Sequence, residues 1–305
     1  MRVEGYTNRR WLMAAEGLRG NANCSKAREL VGNKRTRLSR KLQLLSLSAL
    51  LLLIACATSP TGRSQLEFFP SSQIAQMGKA AYQQIKQETP VSKDPQINRY
   101  IRCVANAITP LVPPLENGEQ WEVTVFKADQ ANAFALPGGH IGIYTGLLSV
   151  AENADQLAAV IGHEIGHVIA EHANARMSTQ YATQAGLQLI QALAGVPGSA
   201  TGQQLMALMG VGAQVGIILP FSRAQESESD ILGLRYMAQA GFDPRQSIQL
   251  WQNMMAANDG RKPPEFLSTH PSEKTRISEL EQRLPQALDI YQQALSEGRQ
   301  PKCKR

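Results

Sequence analysis

Apolar residues recur at helical spacing between Asp155 and Ala175, at Leu157, Val160, Ile161, Ile165, Val168 and Ile169. That period predicts an amphipathic helix. The same spacing predicts a helix over residues 71–87, with Ser71 or Ser72 as cap. It predicts another from Pro95 to Ile108, whose apolar face carries Ile97, Tyr100, Ile101, Val104 and Ile108. Alternation around Val123 and Val125 predicts a strand from Trp121 to Phe126. Asn132 to Leu136 and His140 to Tyr144 read as two more strands, joined by a tight turn at Pro137-Gly138-Gly139 that suits a sheet edge. Helices are expected over residues 223–239 and 245–257, separated by the stop Gly241-Phe242-Asp243-Pro244. A further helix is capped by Ser272, and a separate last one spans residues 286–296. No internal repeat and no second-domain boundary follow from the pattern.

The first residues follow a different logic. Lys34, Arg35, Arg37, Arg40 and Lys41 precede an apolar run, Leu42 to Ala55, broken only by Gln43, Ser46 and Ser48. A basic cluster followed by a short apolar run describes a secretory signal, and the run is short for a membrane-spanning helix. Its ending, Leu53-Ile54-Ala55-Cys56, resembles a bacterial lipobox. The resemblance implies cleavage before Cys56, acylation of Cys56 and attachment to the outer membrane at its periplasmic face. A plain signal peptide or short anchor is the alternative. Residues 1–30 are polar and unpatterned ahead of a complete signal, and the expectation is that translation begins near Val31. Residues 31–55 are then the leader, 56–70 a tether rich in Ser, Thr, Pro and Gly, and 71–305 the folded domain.

Charge changes the picture only by its position. The net charge is +6, but residues 1–55 hold 11 of the 31 Lys and Arg against 3 of the 25 Asp and Glu, leaving 20 against 22. The folded part therefore has no basic footprint for nucleic acid. Met177 to Ser222 contains no charged residue at all. It reads either as helices over a cleft, turning at Gly195-Val196-Pro197-Gly198, or as a membrane-inserted hairpin; the recurring Gln and Pro favour the first.

The predicted helix at 155–175 carries His163-Glu164-Ile165-Gly166-His167. Residues four apart share a helix face, so His163 and His167 can offer two imidazole nitrogens to one metal ion. Glu164 stands beside them as a proton acceptor for an activated water, and Gly166 leaves room beside the metal. A third ligand is required. Ala173 occupies the position of a third histidine in the three-histidine class. His172, on a continuous helix, faces nearly opposite His163 and His167 and reads as solvated. Glu226 and Asp230, four apart on the helix that follows Ser222, can serve as ligand and as acceptor for the free N–H of a metal-bound histidine; Glu228 points away.

These residues, with Asn132-Ala133-Phe134-Ala135-Leu136-Pro137-Gly138-Gly139, Gly241-Phe242-Asp243-Pro244 and Thr269-His270-Pro271 with Arg276 beyond, resemble bacterial lipoproteins of peptidase family M48. The resemblance covers most of residues 60–285. It implies an α+β, mainly helical gluzincin fold with a small sheet whose edge strand borders the cleft. It implies one zinc ion held by His163, His167 and Glu226, with Glu164 as general base and Asp230 behind the ligands. It further implies an extended substrate pairing with the edge at Asn132, Ala133, Phe134 and Ala135, and misfolded or unassembled envelope proteins as substrates. The competing function is a latent, zinc-loaded chaperone or assembly factor. His270 is open between a loop residue, an oxyanion donor and a fourth ligand that blocks the water. Arg276 holds either that loop or the acidic helix. In an oxidising periplasm, with Cys56 acylated, Cys103 and Cys303 are expected to pair.

Overall fold

The computed structural model describes residues 56–115, 118–193, 221–257, 266, 270 and 274–305. The chain divides into two units, residues 1–68 and 69–305. In the first, β1 (Cys56–Thr58) and β2 (Ser64–Leu66) form an antiparallel hairpin, where the composition predicts an unstructured tether. The turn residues do two jobs. Gly62 takes the left-handed φ of 92°, and the Ser59 hydroxyl accepts from the Arg63 N–H at 3.1 Å.

The second unit is mainly helical. Helix α1 (Ser71–Glu88) starts after Pro70, and neither Ser71 nor Ser72 caps it. It buries Ile74, Ala75, Gly78, Ala81 and Tyr82. Gly78 lies so close to the Pro137 turn that a Cβ there would sit 2.1 Å from the Pro137 carbonyl oxygen. Helix α2 (Pro95–Ile108) has the predicted bounds; Asp94 caps it by accepting from the N–H groups of Gln96 and Ile97. Tyr100, Ile101, Val104 and Ile108 are buried, and Ile97 packs at the margin.

The sheet has three strands, β3 (Glu122–Phe126), β4 (Ala133–Leu136) and β5 (His140–Tyr144), in the order β3–β5–β4. Strands β3 and β5 are parallel; β4 pairs with β5 antiparallel and forms an edge. Gly142 faces Phe134 across the register, and a Cβ there would lie 2.2 Å from the Phe134 ring. Phe134 is therefore turned onto β5 and into the cluster of Tyr82, Phe126 and Leu136, away from solvent.

Helix α3 (Ala154–Ile169) opens on an Asn153 cap and buries nearly every side chain. The predicted helix to Ala175 does not exist as one piece. Glu171 adopts a left-handed φ of 54°, and α4 (His172–Leu193) starts immediately after it. Helix α5 (Arg223–Gln239) begins with a reciprocal capping box between Ser222 and Gln225. It is followed by α6 (Arg245–Ala257) and α7 (Lys274–Ser296). α7 runs through Pro285, where the sequence predicts a break. Ile277, Leu280, Ala287, Ile290 and Tyr291 all pack on one core across that point, which offsets the lost backbone hydrogen bond. A disulfide links Cys103 on α2 to Cys303 beyond α7, with Cα atoms 5.6 Å apart. The predicted turn at 195–198 and the Ser272 cap lie outside the described residues. Among the described residues no helix is long and apolar enough to cross a membrane.

Candidate metal centre

The centre is built where α3 crosses α5. A Cβ on Gly233 would lie 2.6 Å from the His163 nitrogen, and one on Gly162 would lie 2.8 Å from the Gly233 carbonyl oxygen. A Cβ on Gly166 would meet the Ser229 carbonyl oxygen at 3.1 Å. Gly166 thus lets the two backbones approach; it does not make room beside a metal, as the sequence reading held. This contact brings Glu226 and Asp230 to the two histidines.

His163, His167, Glu226 and His270 are buried, and one donor atom from each lies within 4.8 Å of all the others. The Nε2 atoms of His163 and His167 are 3.1 Å apart. Nε2 of His163 is 3.4 Å from Oε2 of Glu226, and Nδ1 of His270 is 2.9 Å from Oε1. The rest of the network fixes the tautomers. His163 Nδ1–H donates to Asp230 Oδ1 at 3.0 Å, leaving the Nε2 lone pair for the centre. Converging lone pairs and a carboxylate with no proton to share fit a divalent cation of zinc's preferences.

Arg276 holds the acidic helix, one of its two expected roles; the loop around His270 lies largely outside the described residues. It reaches Asp230 through Nε and Nη2, both at 2.7 Å, and Glu226 Oε2 through Nη1 at 2.6 Å. Its guanidinium lies 3.9 Å from the centre of the Trp251 ring. Phe266 stacks on His270 with ring centres 4.4 Å apart, and Phe221 packs on His167 at 3.7 Å. This aromatic wall keeps the charged groups dry.

Electrostatics follow from burial and pairing. Burial works against a charged His163, but Asp230 and Glu226 outweigh it and raise its pKa to about 9. His167, also buried, is held well below its ordinary range by burial and by the neighbouring imidazoles. Burial raises Glu164. For Glu226 and Asp230 burial is overcome: His270 and His163 push Glu226 down, and Arg276 with His163 pushes Asp230 down.

Glu164 sits between the centre and the sheet edge. Its Oε2 accepts the backbone N–H of Ala135 at 3.2 Å. Its Oε1 has no hydrogen bond among the described residues and faces His270 Nε2 at 3.4 Å. Alongside lies a mostly apolar cavity of about 200 Å³, lined by Ala135, Leu136, Pro137, His167, Arg176 and Phe221 among others. Of the expected edge residues, Ala135 borders this cavity, Asn132 caps the Ala133 N–H at 2.9 Å, and the Ala133 and Phe134 side chains are buried in the sheet.

One further buried residue contradicts the expectation from sequence, and Glu228 points away from the donor group as expected. His172 is 0% exposed, with Nδ1 2.8 Å from Nδ1 of His167, and it is not solvated. The break at Glu171 turns it inward, and a continuous helix hides that possibility. Glu228 is also buried and lies 3.1 Å from His172 Nε2.

A carboxylate beside a His, His, Glu group able to bind a metal is the arrangement by which metal-dependent hydrolases activate water. Comparison with known proteins agrees: the pattern described as peptidase family M48 matches residues 92–284. The chain belongs to that family. It is 38% identical over 169 residues to mitochondrial metalloendopeptidase OMA1 of Schizosaccharomyces pombe, covering 55% of this chain and 48% of the relative. It is 32% identical over 222 residues to the beta-barrel assembly-enhancing protease of Yersinia pestis, covering 69% and 43%. The Escherichia coli K12 protein of that name is 30% identical over 232 residues, covering 73% and 46%. The chain thus spans about half the length of these relatives or less.

Proposed function

We propose that this chain is a zinc-dependent endopeptidase that cleaves misfolded or unassembled envelope proteins. The observation that carries the reading is Glu164, pinned by one oxygen to the sheet edge and with the other open toward the His163, His167, Glu226 and His270 donors. When bound, zinc supplies Lewis-acid chemistry that makes water more acidic and polarises the scissile carbonyl. Glu164 Oε1 takes a proton from the attacking water and returns one to the departing amine nitrogen. Its raised pKa suits both halves of that exchange.

An extended substrate lies along β4. The Asn132 carbonyl accepts from the Tyr144 N–H of β5 at 3.1 Å, so by strand parity Phe134 and Leu136 turn their backbone groups to β5, and Ala133 and Ala135 direct theirs to the open side. The Ala135 N–H is engaged by Glu164 and the Ala133 N–H by Asn132, which leaves the Ala133 and Ala135 carbonyls to accept substrate N–H groups. Backbone pairing reads extended chain rather than sequence, as clearance of unfolded proteins requires. His270 occupies the fourth donor position at rest and has to withdraw for turnover. That position is also what favours the competing reading of a latent assembly factor.

The leader supports a lipid anchor at the periplasmic face of the outer membrane. Mass analysis of the mature N-terminal peptide tests this. Cleavage of an unfolded protein, with and without chelator and beside Glu164→Gln, tests the activity; equal cleavage by the variant would leave the latent reading in its place.

A further inference from the structure

The two metal-facing histidines are supported differently. His163 has a carboxylate directly behind it; behind His167 stands another imidazole. We propose that His172 and Glu228 form a relay that positions His167, His167 Nδ1–H donating to His172 Nδ1 and His172 Nε2–H donating to Glu228. The inference rests on reading His167 as a ligand through Nε2.

The geometry leaves one consistent set of protons. His167 Nε2 lies among the donor atoms, so its proton sits on Nδ1, 2.8 Å from His172 Nδ1. Two ring nitrogens at that distance share a single hydrogen, so His172 accepts there and carries its own proton on Nε2. That nitrogen is 3.1 Å from Glu228 Oε2, an acceptor. The Ser229 hydroxyl, 3.4 Å from His172 Nδ1, can add a weak donation to the same acceptor. All three side chains are buried, where a misdirected imidazole would leave a polar atom unpaired at a cost.

The backbone is arranged for this contact. The left-handed Glu171 ends α3 and starts α4 on His172, and the His172 carbonyl accepts from Gln225 Nε2 at 3.3 Å. Non-glycine residues rarely adopt that conformation, and a local strain of this kind persists only where the surroundings hold it. One helix thus supplies three carboxylates with three tasks. Glu226 faces the centre, Asp230 orients His163 directly, and Glu228 orients His167 through His172. The chain of hydrogen bonds fixes the tautomer and ring orientation of His167 as a carboxylate behind a ligand does.

The test uses the full chain and zinc itself. Zinc affinity is measured by competition with a chromophoric chelator, beside kcat and KM for an unfolded protein. His172→Phe fills the volume without hydrogen bonds and is expected to weaken zinc binding about 10- to 100-fold, lowering kcat at nearly constant KM once zinc is saturating. His172→Gln, which can both accept and donate, restores most of the loss, and Glu228→Gln, which keeps the volume, gives a smaller one. A folded His172→Phe that binds zinc like the parent overturns the relay. A parent that binds no zinc overturns the metal reading beneath it. On the parent itself, nitrogen-15 histidine spectra should show scalar coupling across the His167–His172 hydrogen bond, and its absence in the zinc-bound chain also overturns the proposal.

Discussion

Ala135 donates its backbone N–H to Oε2 of Glu164 at 3.2 Å, so the strand that borders the cleft and the carboxylate proposed as the base are one mechanical unit. Anything that shifts β4 shifts the base. Glu164→Gln keeps that shape, and its amide oxygen can still accept from Ala135. The variant should fold and bind zinc like the parent while losing about 10²- to 10⁴-fold in kcat, the usual worth of a general base. Steady-state cleavage beside a chelator titration checks this; retained turnover would show that Glu164 is not the base.

His163 makes metal binding sensitive to pH. Its pKa in the metal-free chain is raised to about 9, so below that pH the ring carries a proton that zinc has to displace. The sign follows: the metal needs the neutral ring, so acid opposes binding. Apparent affinity should fall about tenfold per pH unit below pH 9, the slope of one competing proton, and level off above it. Calorimetry in buffers of different ionisation enthalpy should report about one proton released per zinc near pH 7.5.

Gly233→Ala forces a Cβ to within 2.6 Å of the His163 nitrogen, against backbone that cannot rotate away. The helices have to separate. The expected cost is about 1–3 kcal/mol of stability, read as a lower unfolding midpoint, together with weaker zinc binding because Glu226 and Asp230 retreat with α5. Unchanged zinc affinity in the variant would mean that the crossing does not set the donor spacing.

Cys303→Ser, or mild reduction, opens a loop of 200 residues between Cys103 and the tail. Chain entropy alone gives an upper figure of about 5 kcal/mol for such a closure. Chemical denaturation with and without reductant measures the loss. The zinc affinity should hardly change, because the disulfide lies on α2 and the tail and not on the ligand helices.

His270→Ala removes the fourth donor. If His270 blocks the site at rest, the variant cleaves an unfolded protein faster than the parent and binds zinc less tightly. A drop in kcat of about 10²-fold would instead identify His270 as a donor to the developing oxyanion.

Much of this was legible because the chemistry is written at fixed intervals. His163 and His167 lie four apart, as do Glu226 and Asp230, and each pair shares a face once a helix is granted. The bounds of α2 and α5 follow from Asp94-Pro95 and from Ser222 with Gln225. What was hidden depends on single backbone torsions and on long-range packing. No periodicity marks Glu171 as left-handed, so His172 reads as solvated when it is buried. Pro285 reads as a break because its cost is local, while the apolar residues that outweigh it are spread along α7. Gly162 and Gly233 look like ordinary helix interruptions until the partner backbone is in place.

Where Gly162 and Gly233 let α3 and α5 touch, the nearest atoms on both sides are main chain. Most protein sites rely on rotamers that soften gradually with heat. Here the spacing between His163 and Glu226 is governed by main chain resting on main chain, a hard stop rather than a spring. The donors should hold their separation with rising temperature until the two helices part, so that loss of the ion and loss of the fold arrive as one event.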